Sequence, residues 1–344
     1  MTEHQYAEKL ENLKGKAIGI VYIFENEEAP GFKHYHIWKS DIISKWMQAI
    51  QNIHCIPYIL DVRTFVEKAI NNTLPPLDFV LNLNCGSWEL SPMSLVPSTC
   101  AFVGIPCIPC NAATIITGEN KMISNLVAQG CNLQVPQRYL SSSEKSIYRP
   151  LNYGSSYGVR TGHYIPINTN GFFQEFIEGY DITTPIVYSP LKETLDFLPS
   201  ILYLPDSGDP KWYFGEEEKI KLQGYIEKSI RQLSCDLKKH YVELCDLIGI
   251  TTFCRIDSRI KACNMEELNT ILNRQIETSD LYFIEINPMP TIRETNAFGK
   301  AFSEIKKNFT IFNCLKVQSS IFEHNNIYSF LLTNSMIFYN QVQK

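Results

Sequence analysis

Along the first hundred residues, short apolar runs alternate with segments whose apolar residues recur at helical spacing. "KAIGIVYIF" (16–24) is apolar and β-branched, which predicts a buried strand. Apolar residues recur every three or four positions in 37–53, which predicts an amphipathic helix, and 55–61 and 74–86 predict two further strands. Strands that alternate with helices predict a parallel α/β sheet over roughly residues 1–110. No glycine-rich dinucleotide fingerprint follows the first strand, so a nicotinamide cofactor is not predicted.

Further along, the pattern predicts shorter elements separated by turn-forming residues. Residues 117–136 predict a helix that ends at a glycine, and 172–188 predict two strands joined by a short linker. Segment 204–219, with its prolines, glycines and aspartates, predicts a long surface loop. A long amphipathic helix is predicted over 218–250, with a break left open, and a small inserted helix over 263–276.

Two later apolar strands carry polar side chains at alternating positions. In "LYFIEINPMP", Glu285 and Asn287 lie two positions apart and therefore point to the same face of the strand. "FCRIDSRI" repeats this pattern with Arg255 and Asp257. An unpaired buried carboxylate costs several kcal/mol, so we expect a cation to compensate these acids.

If the two strands pair, the four polar side chains share one face. That face brings together two carboxylates, an amide oxygen and a guanidinium. Such oxygen ligands suit Mg²⁺, which binds through a few carboxylates together with substrate phosphates. The arginine would neutralise negative charge that develops nearby. A buried arginine–carboxylate pair without a metal explains the same spacing equally well.

A glycine- and serine-rich loop, "YGSSYG" (153–158), lies between two predicted strands. Its backbone N–H groups are of the kind that cover phosphates, although a hairpin turn explains the loop equally well. Lys121 on the preceding helix and Arg149 just before the loop are cations that could reach the same phosphates. A single lysine on a helix is usually solvated surface, so Lys121 also has this simpler interpretation.

The composition narrows the range of partners. The chain has 344 residues, of which 44% are hydrophobic, and a net charge of -5. Because it has no basic block, nucleic acid is not predicted as a partner. The polar N-terminus lacks a signal peptide and no apolar run is long enough to span a membrane, so no membrane association is predicted. The 11 cysteines lie mostly in apolar contexts, which indicates reduced thiols and a cytoplasmic location.

The order of these motifs resembles the ATP-grasp superfamily, and in particular the D-alanine–D-alanine ligases. "YRPLNYGSSYGV" is similar to that family's lysine–proline and glycine–serine–serine–x–glycine loop. "QEFIEGYDIT" is similar to its adenine-binding hinge and the ribose-binding acid that follows. "FCRID" and "EINPMP" resemble its arginine-x-aspartate and glutamate-x-asparagine-x-x-proline strands. The resemblance covers roughly residues 100–300.

The resemblance implies an α/β fold that is α+β in its C-terminal half. The expected architecture is an ATP-grasp fold preceded by a Rossmann-like pre-ATP-grasp domain. The expected domains are 1–115 for the N-terminal domain, 116–178 for a central lid and 179–344 for a C-terminal domain with the metal site. ATP is expected to lie between the last two domains.

The resemblance also implies a role for each matching residue. Arg255 would be catalytic by stabilising charge on the acyl phosphate and the tetrahedral intermediate, and Ser155 and Ser156 would act from the lid. Lys121 and Arg149 would bind the phosphates of ATP. The adenine would be bound by Gln174, Glu175 and Ile177, and the ribose by Asp181. Two Mg²⁺ ions, for which Mn²⁺ is expected to substitute, would be bound by Asp257, Glu285 and Asn287.

The implied reaction is an ATP-dependent carboxylate–amine ligation. A small-molecule carboxylate attacks the γ-phosphate, which gives an acyl phosphate and ADP, and a small-molecule amine then displaces phosphate to form an amide. A homodimer is compatible with this activity. Two alternatives stay open: loading of an acyl group onto the thiol of a carrier protein, and a catalytically inactive nucleotide-binding regulatory protein.

Two departures from the family pattern concern the nucleotide, and a third concerns the first substrate. Arg149 stands in place of a lysine, and Asp181 in place of a glutamate that is one methylene longer. The family's N-terminal glycine-rich turn is missing. Glu25, Glu27 and Glu28 are only loose candidates for the glutamate that would bind the first substrate's ammonium group.

The last departure concerns the second substrate. After the final proline of the motif, the family has a glycine and then a serine that binds the second substrate's carboxylate. Thr291 and Asn296 occupy these places, and we expect both to border the acceptor channel. The sequence therefore predicts a retained nucleotide and metal apparatus with altered substrate pockets. A role in specialised metabolism is expected in place of D-alanyl-D-alanine synthesis.

Overall fold

The computed structural model describes residues 1–24, 40–86, 90–164, 170–221, 223–307 and 326–342. The helices in this part of the chain are α1 (Glu3–Glu11), α2 (Ser40–Asn52), α3 (Val62–Ile70), α4 (Leu90–Val103), α5 (Ala112–Glu119), α6 (Lys121–Gly130), α7 (Glu216–Lys221), α8 (Cys235–Ile248), α9 (Met265–Leu272), α10 (Ala297–Lys307) and α11 (Ile327–Val342). The strands are β1 (Ala17–Tyr22), β2 (Ile56–Asp61), β3 (Phe79–Asn82), β4 (Cys107–Ile108), β5 (Arg138–Tyr139), β6 (Ser146–Pro150), β7 (Arg160–Thr161), β8 (Gly171–Glu175), β9 (Gly179–Ser189), β10 (Thr194–Phe197), β11 (Ser200–Pro205), β12 (Tyr225–Ile230), β13 (Phe253–Lys261) and β14 (Leu281–Asn287).

The N-terminal sheet has four parallel strands in the order β2-β1-β3-β4. This arrangement confirms the parallel α/β sheet that the sequence predicts. Helix α2 buries its apolar stripe, including Trp46 and Ile50, against the sheet. The C-terminal helix α11 joins the same core, where the ring of Tyr328 meets Trp46 edge to face at 4.8 Å. The last helix of the chain therefore completes the first hydrophobic core.

A small antiparallel sheet and a larger one follow. The small sheet has the order β5-β8-β6-β7, and the glycine–serine loop connects β6 to β7. The larger sheet has the order β12-β11-β9-β13-β14, with β10 paired to β9. Helix α8 packs Leu237, Tyr241 and Leu244 into the core of this sheet. The expected boundary between residues 178 and 179 falls just before β9, whereas the one after residue 115 falls inside α5.

The structure corrects the helix predicted over 218–250. Residues Tyr225–Ile230 form strand β12, which pairs with β11 in an antiparallel manner. Gly224, at φ +84°, turns the chain out of α7, and alternate residues of the next segment are exposed, as on a sheet edge. Pairing with β11 thus outweighs the helical pattern.

Two further predictions concern α6 and α9. The helix predicted from residue 117 to Gly130 ends where α6 ends, but it is divided into α5 and α6 at Asn120. The extended backbone of Asn120 stops α5, and its side chain caps α6 by accepting from Met122 N and Ile123 N. The small inserted helix is confirmed as α9. Within the described ranges, we find no helix with the length and apolar character needed to cross a membrane.

Candidate functional site

The pairing of β13 with β14 sets the position of the predicted chemistry. In this antiparallel pair Arg255 lies opposite Asn287, and Asp257 lies opposite Glu285. Residues directly opposite each other project to the same face of a sheet. All four polar side chains therefore share one face, as the sequence predicts.

Asp257 is held by three neighbouring side chains. Arg255 donates to it from Nε and Nη2, both at 2.9 Å, Asn287 donates from Nδ2 at 3.0 Å, and Thr183 donates from Oγ1 at 2.8 Å. Burial opposes the charge of Arg255, but the adjacent Asp257 carboxylate outweighs it and raises the pKa of the guanidinium. Arg255 therefore stays positively charged beside this carboxylate.

Glu285 is surrounded by cations. Arg149 donates to its carboxylate from Nη2 at 2.5 Å and to the Ile284 carbonyl from Nη1 at 2.8 Å, and Lys121 Nζ lies 3.6 Å from the same carboxylate. Burial would raise the pKa of Glu285, but Lys121, Arg149 and Lys219 together lower it to about 2. The planar guanidinium of Arg149 reaches these two acceptors through two separate nitrogens, whereas a lysine would have to reach both from a single nitrogen.

Lys121 lies at the start of α6 and is buried, so the simpler interpretation of a solvated lysine is wrong. Its Nζ donates to the Tyr153 carbonyl at 2.7 Å, at the start of the glycine–serine loop. Burial lowers the pKa of this ammonium group, although the nearby Glu285 carboxylate opposes the shift. Lys121 thus ties the loop to the acidic strand β14.

The predicted adenine and ribose residues line the same cavity as Arg255 and Glu285. Gln174, Glu175, Ile177 and Asp181 are all part of its wall. Gln174 is 2% exposed, and its Oε1 accepts no hydrogen bond from the residues that the structure describes. A buried acceptor without a donor is costly, so this oxygen indicates where a ligand with an N–H group fits.

The glycine–serine loop is shaped by unusual backbone angles. Ser155 and Ser156 have φ values of 56° and 59°, in the left-handed region that non-glycine residues seldom adopt. Ser156 Oγ donates to the Phe214 carbonyl at 3.1 Å and accepts from Lys219 Nζ at 2.7 Å. The loop is therefore fastened to the segment that leads from β11 into α7.

Several cavity residues are absent from the sequence-based prediction. The prediction of a surface loop over 204–219 is wrong in part, because Tyr213, Phe214 and Lys219 line the cavity. One feature of the sequence distinguishes Lys219, namely that it follows three glutamates in a short helical segment. Arg259 also lines the cavity and extends the alternating pattern of β13 by one more position, a signal that the prediction passed over.

Glu119, the last residue of α5, is another carboxylate near these groups. Burial raises its pKa to about 7, although the charge of Lys121 partly offsets the shift. No sequence motif identifies Glu119 as a site residue. It lies in "GEN", just before Lys121, and this short polar stretch is typical of a loop.

Thr291 and Asn296 lie between β14 and α10. Asn296 Nδ2 donates to the Thr291 carbonyl, and neither residue belongs to the described lining of the cavity. Their role at an acceptor channel stays a prediction. Glu25, Glu27 and Glu28 lie outside the described residues.

The donor set at the end of β14 fits a magnesium ion. Among the residues that the structure describes, no group of three or more His, Cys, Asp or Glu side chains is arranged to hold a metal. The predicted set differs, since it combines the Asp257 and Glu285 carboxylates with the Asn287 amide. Two carboxylates and an amide oxygen are hard donors of the kind that Mg²⁺ prefers.

Comparisons with known proteins complete this picture. No protein-family model matches the chain, and no curated protein matches it. The structure is similar to that of a D-alanine–D-alanine ligase from Bacillus anthracis solved in complex with ATP, with a TM-score of 0.60, 15% identity, and 95% of this chain and 99% of that chain covered. A D-Ala:D-Ser ligase from Enterococcus faecalis gives a TM-score of 0.58 at 13% identity, with 94% of this chain and 100% of that chain covered.

A D-alanyl-alanine synthetase A from Vibrio cholerae is also similar, with a TM-score of 0.58, 12% identity, and 90% of this chain and 99% of that chain covered. Likenesses at such low identity establish the fold and leave the substrates open. The chain therefore has the ATP-grasp fold of the D-alanine–D-alanine ligases, at no more than 15% sequence identity to these three structures.

Proposed function

We propose that the protein is an ATP-dependent ligase that joins a carboxylate to an amine through an acyl phosphate. The observation that carries this proposal is the charge around Glu285. Lys121, Arg149 and Lys219 all lower the pKa of this one carboxylate, and all four residues line one cavity. Buried positive charge in excess is costly unless an anion compensates it, and the triphosphate of ATP supplies that anion.

The other end of the cavity suits the nucleoside. The unpartnered Oε1 of Gln174 offers an acceptor to the exocyclic amine of adenine. Glu175 and Ile177 supply backbone groups at the base, and Asp181 supplies a carboxylate for the ribose hydroxyls. The likeness to a ligase solved with ATP supports the same placement.

Asp257, Glu285 and Asn287 would hold Mg²⁺, with Mn²⁺ as the expected substitute. A bound ion supplies orientation of the phosphates and neutralisation of charge on the transferring group. Arg149 and Arg255, which pair with the two carboxylates, each carry further N–H donors that can meet phosphate oxygens.

The residues of the chain then divide the reaction between them. Lys121 and Arg149 hold the γ-phosphate so that a donor carboxylate oxygen attacks phosphorus and the bond to ADP breaks. Arg255 stabilises the oxyanion that forms when an amine attacks the acyl carbon. Phosphate then leaves and the amine nitrogen gives up a proton. Ser155 and Ser156 lie in the loop that excludes water from the acyl phosphate.

The substrates are expected to differ from those of the D-alanine–D-alanine ligases. Thr291 stands in place of a glycine, and Asn296 stands in place of the serine that would bind a second amino acid's carboxylate. A tailoring step in specialised metabolism, with a different carboxylate or amine, accounts for these changes.

The proposal is tested by a screen of carboxylates and amines for release of ADP and phosphate, with mass analysis of the products. At least one pair should give an amide together with equal amounts of ADP and phosphate. Glu285→Gln is the matched inactive control, since it keeps the shape of the side chain and removes the charge. Steady release of ADP without an amide, or failure of the protein to bind ATP, would contradict the proposal.

A further inference from the structure

Arg259 is a buried arginine whose hydrogen bonds go to the chain itself. It is 3% exposed. Its Nε donates to the Ile177 carbonyl at 2.5 Å, and Nη1 donates to Asp181 Oδ1 at 2.8 Å. Its Nη2 donates to the Pro210 carbonyl at 2.9 Å and also to the Trp212 carbonyl. One guanidinium therefore gathers a carboxylate and three backbone carbonyls.

These acceptors come from three separate segments that form or adjoin the cavity wall. Ile177 follows β8 and represents the proposed adenine hinge, and Asp181 lies in β9 as the proposed ribose acid. Pro210 and Trp212 belong to the segment between β11 and α7, whose next residues turn towards the cavity. Arg259 thus joins the proposed adenine hinge, the proposed ribose-binding Asp181 and the segment between β11 and α7.

Two further contacts reinforce this junction. The second oxygen of Asp181 accepts from Phe214 N at 2.6 Å, so both carboxylate oxygens are fixed in place. The guanidinium carbon of Arg259 lies 5.0 Å from the centre of the Phe176 ring, within the range of a cation–π contact. Phe176 lies between the two proposed hinge residues Glu175 and Ile177, so this contact also holds Arg259 against the hinge.

The backbone register explains why this contact is specific to position 259. Strands β13 and β9 pair with Arg259 directly opposite Asp181 and with Asp257 directly opposite Thr183. One face of β13 thus carries Arg255 and Asp257 at the end of the cavity with the proposed metal residues, which we call the chemistry end. It carries Arg259 at the end with the proposed adenine and ribose residues, which we call the nucleotide end. A simple core ion pair would need Asp181 alone, whereas Arg259 also binds the carbonyl of Ile177 in the cavity wall and two carbonyls just before Tyr213 and Phe214, which line the cavity.

We propose that Arg259 is a positioning residue that sets the affinity for ATP without taking part in the chemistry. This inference rests on the proposed function of the cavity as an ATP site. Arg259 holds the hinge, Asp181 and the segment between β11 and α7 in the arrangement that a nucleotide requires, so that nucleotide binding does not have to order them. Its loss should weaken nucleotide binding and leave the ligation step itself intact.

The test compares four proteins by calorimetric titration with ATP and Mg²⁺: wild type, Arg259→Met, Arg259→Lys and Arg274→Met. Arg274 is the matched control because it also forms a two-pronged pair, with Asp280, but its side chain is 48% exposed and lies outside the cavity. Arg259→Met should bind ATP ~10- to 100-fold more weakly. Arg259→Lys keeps the charge but reaches fewer acceptors, and its loss should be intermediate. Arg274→Met should bind like wild type.

The rate of ligation separates this role from a catalytic one. With ATP at saturation, kcat of the Arg259 variants should stay within about threefold of wild type, while KM for ATP rises with the dissociation constant. A fall in kcat with unchanged ATP affinity would overturn the proposal, as would wild-type affinity in a folded Arg259→Met protein. Failure of both variants to fold would also overturn it, since Arg259 would then serve the fold.

The failure of this inference can be distinguished from failure of the proposed function. If wild type itself does not bind ATP, the cavity is not an ATP site and both proposals are wrong. If wild type binds ATP and folded Arg259 variants bind it equally well, only the role of Arg259 is wrong.

Discussion

Two arginines on strand β13 lie four positions apart, face the same cavity and are used in different ways. The side chain of Arg255 is 23% exposed and pairs with the Asp257 carboxylate beside it. The side chain of Arg259 is 4% exposed and is committed to a carboxylate and three backbone carbonyls. A guanidinium with accessible donors can meet a reacting group, whereas one committed to its own chain can only shape the site.

The same contrast extends to the two ends of the cavity. At the chemistry end, Asp257 and Glu285 are partly exposed and paired with cations, which a metal and a polyphosphate can replace as partners. At the nucleotide end, Gln174 and Arg259 are buried, and Asp181 is fixed by both of its oxygens. Substitutions at the first end should therefore change rates, and substitutions at the second end should change affinities.

The largest expected effect is a loss of ligation rate when D-alanine is offered as the substrate. D-Alanine should be a poor substrate as donor and as acceptor, by ~10³-fold or more relative to the natural pair, because polar groups left unpaired reject a ligand strongly. The measurement is incubation with ATP, Mg²⁺ and D-alanine, followed by mass analysis of the product. Rapid formation of D-alanyl-D-alanine would show that Thr291 and Asn296 do not alter the acceptor site.

Arg255→Ala should separate catalysis from nucleotide binding. Loss of one preorganised charge-stabilising group typically costs ~10²–10³ in rate, so kcat should fall by that amount while the affinity for ATP hardly changes. Calorimetric titration with ATP and a steady-state assay measure the two quantities on the same protein. If Arg255→Ala leaves no folded protein, the buried ion pair without a metal would be the better explanation.

The sequence allowed the juxtaposition of the polar side chains on β13 and β14 to be predicted, for a physical reason. Polar residues two apart in an apolar strand can share only one face, so the juxtaposition of Asp257 with Glu285 follows once the strands pair. The parallel sheet follows equally directly from alternating strands and helices. Local periodicity is sufficient in both cases.

The nucleotide end could not be predicted to the same degree, because its contacts join distant segments. Arg259 meets Pro210 and Trp212 only after the chain between β11 and α7 folds over the cavity. That segment reads as a surface loop because proline, glycine and aspartate dominate its local pattern. The local pattern of strand β12 also predicts a helix, because pairing with β11 at the sheet edge is a tertiary effect that the pattern does not contain.

Glu119→Gln should alter the pH dependence of stability at the chemistry end. Burial raises the pKa of Glu119 to about 7 from an ordinary 4.5, so between these values the folded protein keeps a proton that the unfolded chain releases. The stability that Glu119 contributes is therefore full below pH 4.5 and is lost as the pH rises to 7. One pKa unit corresponds to about 1.4 kcal/mol, so the wild type should lose on the order of 3 kcal/mol of stability across this range through Glu119, and the variant should not show this loss.

Urea unfolding across this pH range, without Mg²⁺, measures the slope for both proteins. An equally flat slope in the wild type would contradict the assigned environment of Glu119.

The smallest expected effect is a rise in KM for ATP when the glycine–serine loop loses one of its contacts. Ser156→Ala removes the hydroxyl that donates to the Phe214 carbonyl and accepts from Lys219. One such hydrogen bond contributes about 1 kcal/mol, so KM for ATP should rise by about fivefold. Ser141→Ala, at an exposed serine outside the loop, is the control. Identical KM values for the two variants would show that the loop does not depend on this contact.

The most direct test of the central claim is a crystal structure with a non-hydrolysable ATP analogue and Mg²⁺. We predict an ion about 2.1 Å from carboxylate oxygens of Asp257 and Glu285, with the γ-phosphate against Lys121 and Arg149 and the base beside Gln174. An analogue bound elsewhere would contradict the account. So would a cavity in which Arg255–Asp257 and Arg149–Glu285 stay paired and no ion binds.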